Sequence, residues 1–98
     1  MASKHLRFNP LAEAELQDAC AWYDERVPGL GLRFVRALRK KTEEILEAPD
    51  RWPLVGGTRR ILMGRFPYAI VYRETPGDEI EIVAVAHLKR RTRYWSGR

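Results

Sequence analysis

Ninety-eight residues, 45% of them hydrophobic and 32% charged, suffice for one domain spanning residues 1–98 with a modest core, and are too few for two. No run approaches the roughly 20 apolar residues of a membrane span, the start lacks an apolar signal core, and one cysteine, Cys20, excludes an internal disulfide. The expectation is a cytoplasmic protein with no membrane association, whose net charge of +5 points to an acidic or polyanionic partner.

The charge is unevenly spread. Residues 1–58 hold nine bases and nine acids, whereas residues 59–98 hold nine bases against four acids, so the whole excess belongs to the second part of the chain.

In chain order, Lys4–Phe8 reads as a first strand with Leu6 and Phe8 on one face. Asn9-Pro10 then opens a helix: asparagine caps well, and proline at the first helical position loses nothing, because its missing N–H would have been unpaired anyway. Ala12, Leu16, Ala19 and Tyr23 recur at helical spacing, and Glu13, Glu15 and Asp18 suit the helix dipole. Cys20 reads as packing. Trp22 lies off the stripe and is expected to pack on the second helix, with a partner anchor as the alternative. Pro28-Gly29-Leu30-Gly31 breaks the pattern.

A second helix is expected over Leu32–Glu47, burying Phe34, Leu38, Thr42, Ile45 and Leu46. Its cations and acids (Arg33, Arg36, Arg39, Lys40, Lys41, Glu43, Glu44, Glu47) read as a solvated face, with Arg39–Glu43 and Lys40–Glu44 at pairing distance in sequence. Pro49 ends this helix. Three apolar runs follow, Arg60–Met63, Phe66–Arg73 and Ile80–Ala86. The last two alternate with period two, which puts Phe66, Tyr68, Ile70 and Tyr72 on one face and Pro67, Ala69, Val71 and Arg73 on the other. Thr75-Pro76-Gly77-Asp78-Glu79 is a turn. The reading is an antiparallel meander covered by helices and followed by a basic, aromatic tail.

The chain carries no phosphate-binding glycine loop, no zinc spacing and no nucleophile motif, and its two histidines are too few for a histidine-rich metal site. No cofactor and no metal are expected. Two candidate constellations remain. His87 ends the last apolar run immediately before a cluster of cations, where it either serves as a neutral base or hydrogen-bonds locally. Arg59, Arg60, Arg65 and Arg73 with Lys89, Arg90, Arg91, Arg93, Tyr94 and Trp95 interleave cations and aromatics, as binding to nucleic acid requires. A metal-independent ribonuclease could draw on Arg60, His87, Arg90, Arg91 and Tyr94, with arginine stabilising a pentavalent phosphate and tyrosine or histidine moving the proton.

Strand, helical hairpin, three-strand meander and basic tail, in that order, resemble the RelE/ParE superfamily of bacterial type II toxins. The resemblance rests on Phe8-Asn9-Pro10-Leu11-Ala12, Arg60-Ile61-Leu62-Met63, Phe66-Pro67-Tyr68-Ala69-Ile70-Val71-Tyr72-Arg73, Ile82-Val83-Ala84-Val85-Ala86-His87 and Arg90-Arg91-Thr92-Arg93-Tyr94-Trp95. It implies an α+β fold, with an N-terminal strand and a two-helix hairpin packed on a twisted antiparallel sheet. It also implies a cognate antitoxin as partner in a hetero-oligomer that reaches operator DNA only through the antitoxin.

RelE-like members cut mRNA on the ribosome; ParE-like members poison DNA gyrase. Of the basic positions the RelE-like enzymes use, Arg60 matches one on the second strand, and Leu62, expected to be buried, replaces the other. Ala69 replaces the third-strand arginine. Tyr94 or Trp95 falls near the tail tyrosine, and Arg90, Arg91 or Arg93 near the tail arginine. These replacements make the ParE-like branch the closer resemblance. They imply a gyrase inhibitor that is not an enzyme, with target contacts at Arg59, Arg60, Arg65, Lys89, Arg90, Arg91, Arg93, Tyr94 and Trp95. The alternatives are a ribosome-dependent mRNA endoribonuclease and a non-toxic binding module or co-repressor.

Overall fold

A computed structural model describes residues 4–98. The chain runs β1 (His5–Phe8), α1 (Pro10–Arg26), α2 (Leu30–Glu47), β2 (Arg59–Leu62), β3 (Tyr68–Thr75) and β4 (Glu79–His87). The four strands form one sheet in the order β1-β4-β3-β2. The helical hairpin covers one face of it.

The start of α1 follows from its first residues. Asn9 Oδ1 accepts the Leu11 N–H at 2.9 Å, and Pro10 takes the first helical position. Ala12, Ala19 and Tyr23 are buried, as their spacing predicts. The second helix begins at Leu30, two residues earlier than Pro28-Gly29-Leu30-Gly31 suggests. Gly29, at φ 87°, makes the left-handed turn between the helices, and Asp24 Oδ1 accepts the Gly31 N–H at 2.7 Å. Gly31 is therefore helical and buried. A Cβ there would come within 2.6 Å of the Cys20 carbonyl oxygen, so this glycine serves the close crossing of the helices rather than the turn.

The meander is antiparallel as expected, with Arg59 opposite Tyr72 and Tyr68 opposite His87. The first strand, however, joins β4 in parallel, Leu6 opposite Ile80 and Phe8 opposite Ile82, so the sheet is mixed. A parallel partner needs a long crossover, and the hairpin with the meander supplies one. Enclosed between two strands and covered on both faces, β4 is buried from Ile80 to Ala86.

Strict alternation fails in β4. Val71 faces Ala84 but Tyr72 faces Ile82, leaving Val83 as the extra residue of a β-bulge. Alternation would have put Ala84 and Ala86 beneath the helices with Ile80 and Ile82. The bulge instead puts Val85 there, and Val83, Ala84 and Ala86 gather with Val71 on the opposite face. The single inserted residue thus gives the far face its small side chains.

The helix-side core is aromatic. Phe34 is fully buried, with ring centroids 5.0 Å from Tyr68, 5.1 Å from Phe66 and 5.5 Å from Tyr23. Phe66, Tyr68, Ile70 and Tyr72 all reach this core as their alternation predicts, although Phe66 precedes the strand. The Tyr72 hydroxyl donates to the Pro49 carbonyl at 2.6 Å, and burial pushes its pKa up to about 12.

Two expectations about single side chains fail. Leu62 is not buried: on the outermost strand it alternates with the buried Ile61 and Met63 and is 53% exposed. Trp22 does not pack on the second helix. It is 49% exposed, its ring meets Tyr23 edge-on at 5.1 Å, and the Arg26 guanidinium lies 3.4 Å from its centroid.

Candidate functional site

Residues 88–98 are not a free tail. They fold back as a series of turns across the far face of the sheet, where Tyr94 and Trp95 pack on Val71, Val83, Ala84 and Ala86. The two rings meet edge to face at 5.3 Å. Small strand residues let the large rings sit close, so the bulge in β4 is what makes room for this closing segment.

One α1 residue ties it down. Tyr94 donates its hydroxyl proton to Glu15 Oε2 at 2.6 Å, and Arg98 donates from Nη1 to Oε1 at 2.9 Å and from Nη2 to Oε2 at 3.2 Å. Glu15 Oε1 also accepts the Val85 N–H at 3.0 Å, while Arg98 Nη1 reaches the Val83 carbonyl at 3.0 Å. Glu15 and Arg98 thereby satisfy the edge of β4 beyond Ile82, where β1 has ended. Burial raises the Glu15 pKa, but the hydrogen bonds from Arg98, Tyr94 and Val85 outweigh it and hold the carboxyl below its ordinary value. Burial and the same carboxylate hold the Tyr94 phenol far above the usual tyrosine range. Tyr94 is thus a fixed donor rather than a proton carrier at neutral pH.

Beside this lies a second carboxylate, and it is buried. Glu81, 4% exposed, accepts from Arg73 Nε at 2.7 Å and from Asn9 Nδ2 at 3.4 Å, with Arg7 Nη1 at 3.7 Å. Arg73 also donates to the Arg98 carbonyl at 2.8 Å. Arg73 is therefore a bracing residue of this face and is committed to the fold.

The remaining candidates separate into three places. His87 and Arg90 line a groove of about 510 Å³ with Tyr68, Trp22 and Asp18, between α1 and the end of β4. Nδ1 of His87 accepts the Lys89 N–H at 3.0 Å, and its ring meets Tyr68 at 5.0 Å, so its local hydrogen-bonding role is realised. The Arg90 guanidinium lies 3.8 Å from the Tyr94 ring centroid. Arg59, Arg60, Arg93 and Trp95 line a separate groove of about 350 Å³. There Arg93 adopts φ 62° and lays its guanidinium over Gly56, in the space that a side chain at 56 would fill. Arg65 belongs to neither place and stands beside α2. Lys89 and Arg91 are exposed.

Three of the five residues suggested for RNA cleavage are neighbours and two are not. His87 and Arg90 line one groove with Glu15, to which Tyr94 is tied and which Arg90 approaches within 3.9 Å, whereas Arg60 is on another groove and Arg91 faces solvent. Glu15, Glu81 and Arg98 are the residues that sequence reasoning missed. Glu15 reads as an ordinary helix-dipole acid, and no local pattern marks it as the hub of contacts made 70 and 83 residues away.

The sequence matches the ParE toxin family, described as the ParE toxin of the type II toxin-antitoxin system parDE, over residues 6–92. The fold is similar to a chain of the chromosomal ParDE TA system from P. aeruginosa, at 20% identity and a TM-score of 0.75, covering 89% of this chain and 98% of that one. No curated protein matches the sequence.

Proposed function

The chain belongs to the ParE toxin family of type II toxin-antitoxin systems, and on that premise we propose that it is a growth-inhibiting toxin that acts as one domain in the cytoplasm, is silenced by a cognate antitoxin and inhibits DNA gyrase. The observation that carries this reading is the closing segment. Tyr94 and Trp95 seat it on the sheet and Glu15 anchors it, while Lys89 and Arg91 stay exposed on the resulting platform. Cations held at defined positions, with Tyr94 committed to Glu15 and with Arg60 and Arg91 away from the groove of His87, suit binding and blocking a large target. They do not suit phosphate cleavage, which needs its base, acid and charge-stabilising group converging on one atom. Leu62 and Ala69 add nothing ionisable to the sheet where RelE-like enzymes carry basic groups.

Antitoxin docking finds its anchor in Trp22, an exposed indole at the lip of the groove between α1 and β4. Trp22→Ala should weaken the complex while leaving the toxin's melting midpoint nearly unchanged.

The primary test is tight induction of the chain with DNA and protein synthesis followed separately by label incorporation, together with supercoiling by purified gyrase. An early fall in DNA synthesis and a block of supercoiling are expected. An immediate fall in translation with gyrase unaffected would replace this reading by ribosome-dependent RNA cleavage at the groove of His87, Tyr68 and Arg90. No effect on either would leave a binding module.

A further inference from the structure

The cations of α2 do not behave as a solvated face of alternating charge. Arg33, Arg36, Lys40 and Lys41 line a groove of about 1000 Å³ between the helix and the turn after β2, together with Arg65. No acidic residue lines it. Neither expected pair, Arg39–Glu43 or Lys40–Glu44, forms among the described residues; Glu44 pairs instead with Lys41 at 3.3 Å. Arg33, Arg36, Lys40 and Arg65 have no acidic partner among the described residues, and all four are exposed.

We propose that this groove binds the phosphate backbone of duplex nucleic acid, independently of base sequence and of the target engaged by the closing segment. Three features favour that ligand. The first is charge without compensation: four unpaired cations converge on one concavity, and phosphate contacts alone supply affinity of this kind. The second is spacing. Arg33, Arg36 and Lys40 follow one another along about 10 Å of helix, a length over which a duplex presents about six phosphate charges. The third is the absence of anchors. A protein partner needs exposed apolar or aromatic side chains to bury, yet the exposed large hydrophobic residues among those described (Trp22, Leu32, Leu62 and Leu88 among them) all lie outside this groove, and of the apolar residues that line it Met63 is buried while Leu30, Ala37 and Phe66 are partly buried against the core. The same lack of an exposed aromatic ring removes the stacking platform that single strands use, leaving a duplex as the fitting form.

The test is fluorescence anisotropy of the purified full chain with a random-sequence 20-base-pair DNA duplex, across a salt series. The expected slope of log affinity against log salt is about −3.5 for four neutralised phosphates, flattening to about −1 in the triple variant Arg33→Gln/Arg36→Gln/Lys40→Gln. These side chains are exposed, so the variant should keep the wild-type circular dichroism and melting midpoint. The pair Lys89→Gln/Arg91→Gln should keep the slope within one unit of wild type. Three results would overturn the proposal: loss of duplex binding in the closing-segment pair but not in the α2 triple, equal binding of single-stranded DNA, or binding of polyglutamate as tight as that of the duplex. The last would assign the groove to an acidic polypeptide.

Discussion

The two faces of the sheet are held by different forces. Under the helices, Phe34, Tyr23, Phe66 and Tyr68 interlock around Ile70, Ile80 and Ile82, and apolar burial supplies the cohesion. On the other face, small residues receive two aromatic rings, and much of the remaining attachment is polar, running through Glu15 and Glu81. The first arrangement makes a scaffold insensitive to salt and mild pH change. The second makes a platform whose attachment rests on ionised groups, and the platform carries the exposed cations Lys89 and Arg91.

The largest expected effect is on the scaffold. Phe34→Ala should cost about 3–5 kcal/mol, as deletion of a fully buried ring does, with a lower urea midpoint and no selective release of residues 88–98. Next is Glu15→Ala, which strands Tyr94, Arg98 and the Val85 N–H together. It should weaken the platform by about 1–3 kcal/mol, read as faster hydrogen exchange at the amides of residues 94–98 while the amides of α2 keep their protection. Equal acceleration in both regions would mean that the two faces are one cooperative unit. Tyr94→Phe removes one of those contacts, a hydrogen bond to a charged acceptor, and should give a smaller loss of about 1.5 kcal/mol by the same measurement.

Acid provides a titration of the same comparison. The Glu15 carboxyl titrates below its ordinary 4.5 in the folded protein, so its contribution is complete above that value and is lost as pH falls through the folded value. Protection factors at residues 94–98, taken relative to the intrinsic exchange rate at each pH, should therefore fall below about pH 4.5, and in Glu15→Ala that fall should be absent. The smallest expected effect on stability, within about 0.5 kcal/mol, is that of Lys89→Ala with Arg91→Ala, because both are exposed surface residues. This pair should nonetheless abolish growth arrest. Continued arrest would move the target contacts off the platform.

Sequence periodicity was a reliable guide wherever one side chain decided its own burial. The stripe of α1, the core side of α2, the aromatic face of β3 and the turn at Gly77 all lie where local spacing puts them. The candidate cations were legible as residue types, but not as sites. Arg73 is spent on Glu81, Arg65 stands apart from Arg59 and Arg60, and His87 shares no groove with Arg60.

The amino-acid sequence by itself thus determined the elements, their order and the face that α1, α2 and β3 present to the core, because helix capping, turn chemistry and hydrophobic period act over a few residues. Tertiary structure alone decided the parallel pairing of β1 with β4, the bulge at Val83 that exchanges the faces of Ala84 and Val85, and the docking of residues 88–98 onto Glu15. Each of these depends on groups brought together from tens of residues apart. Their energy lies in shared backbone edges and partly buried ion pairs, which leave no periodic trace in the chain.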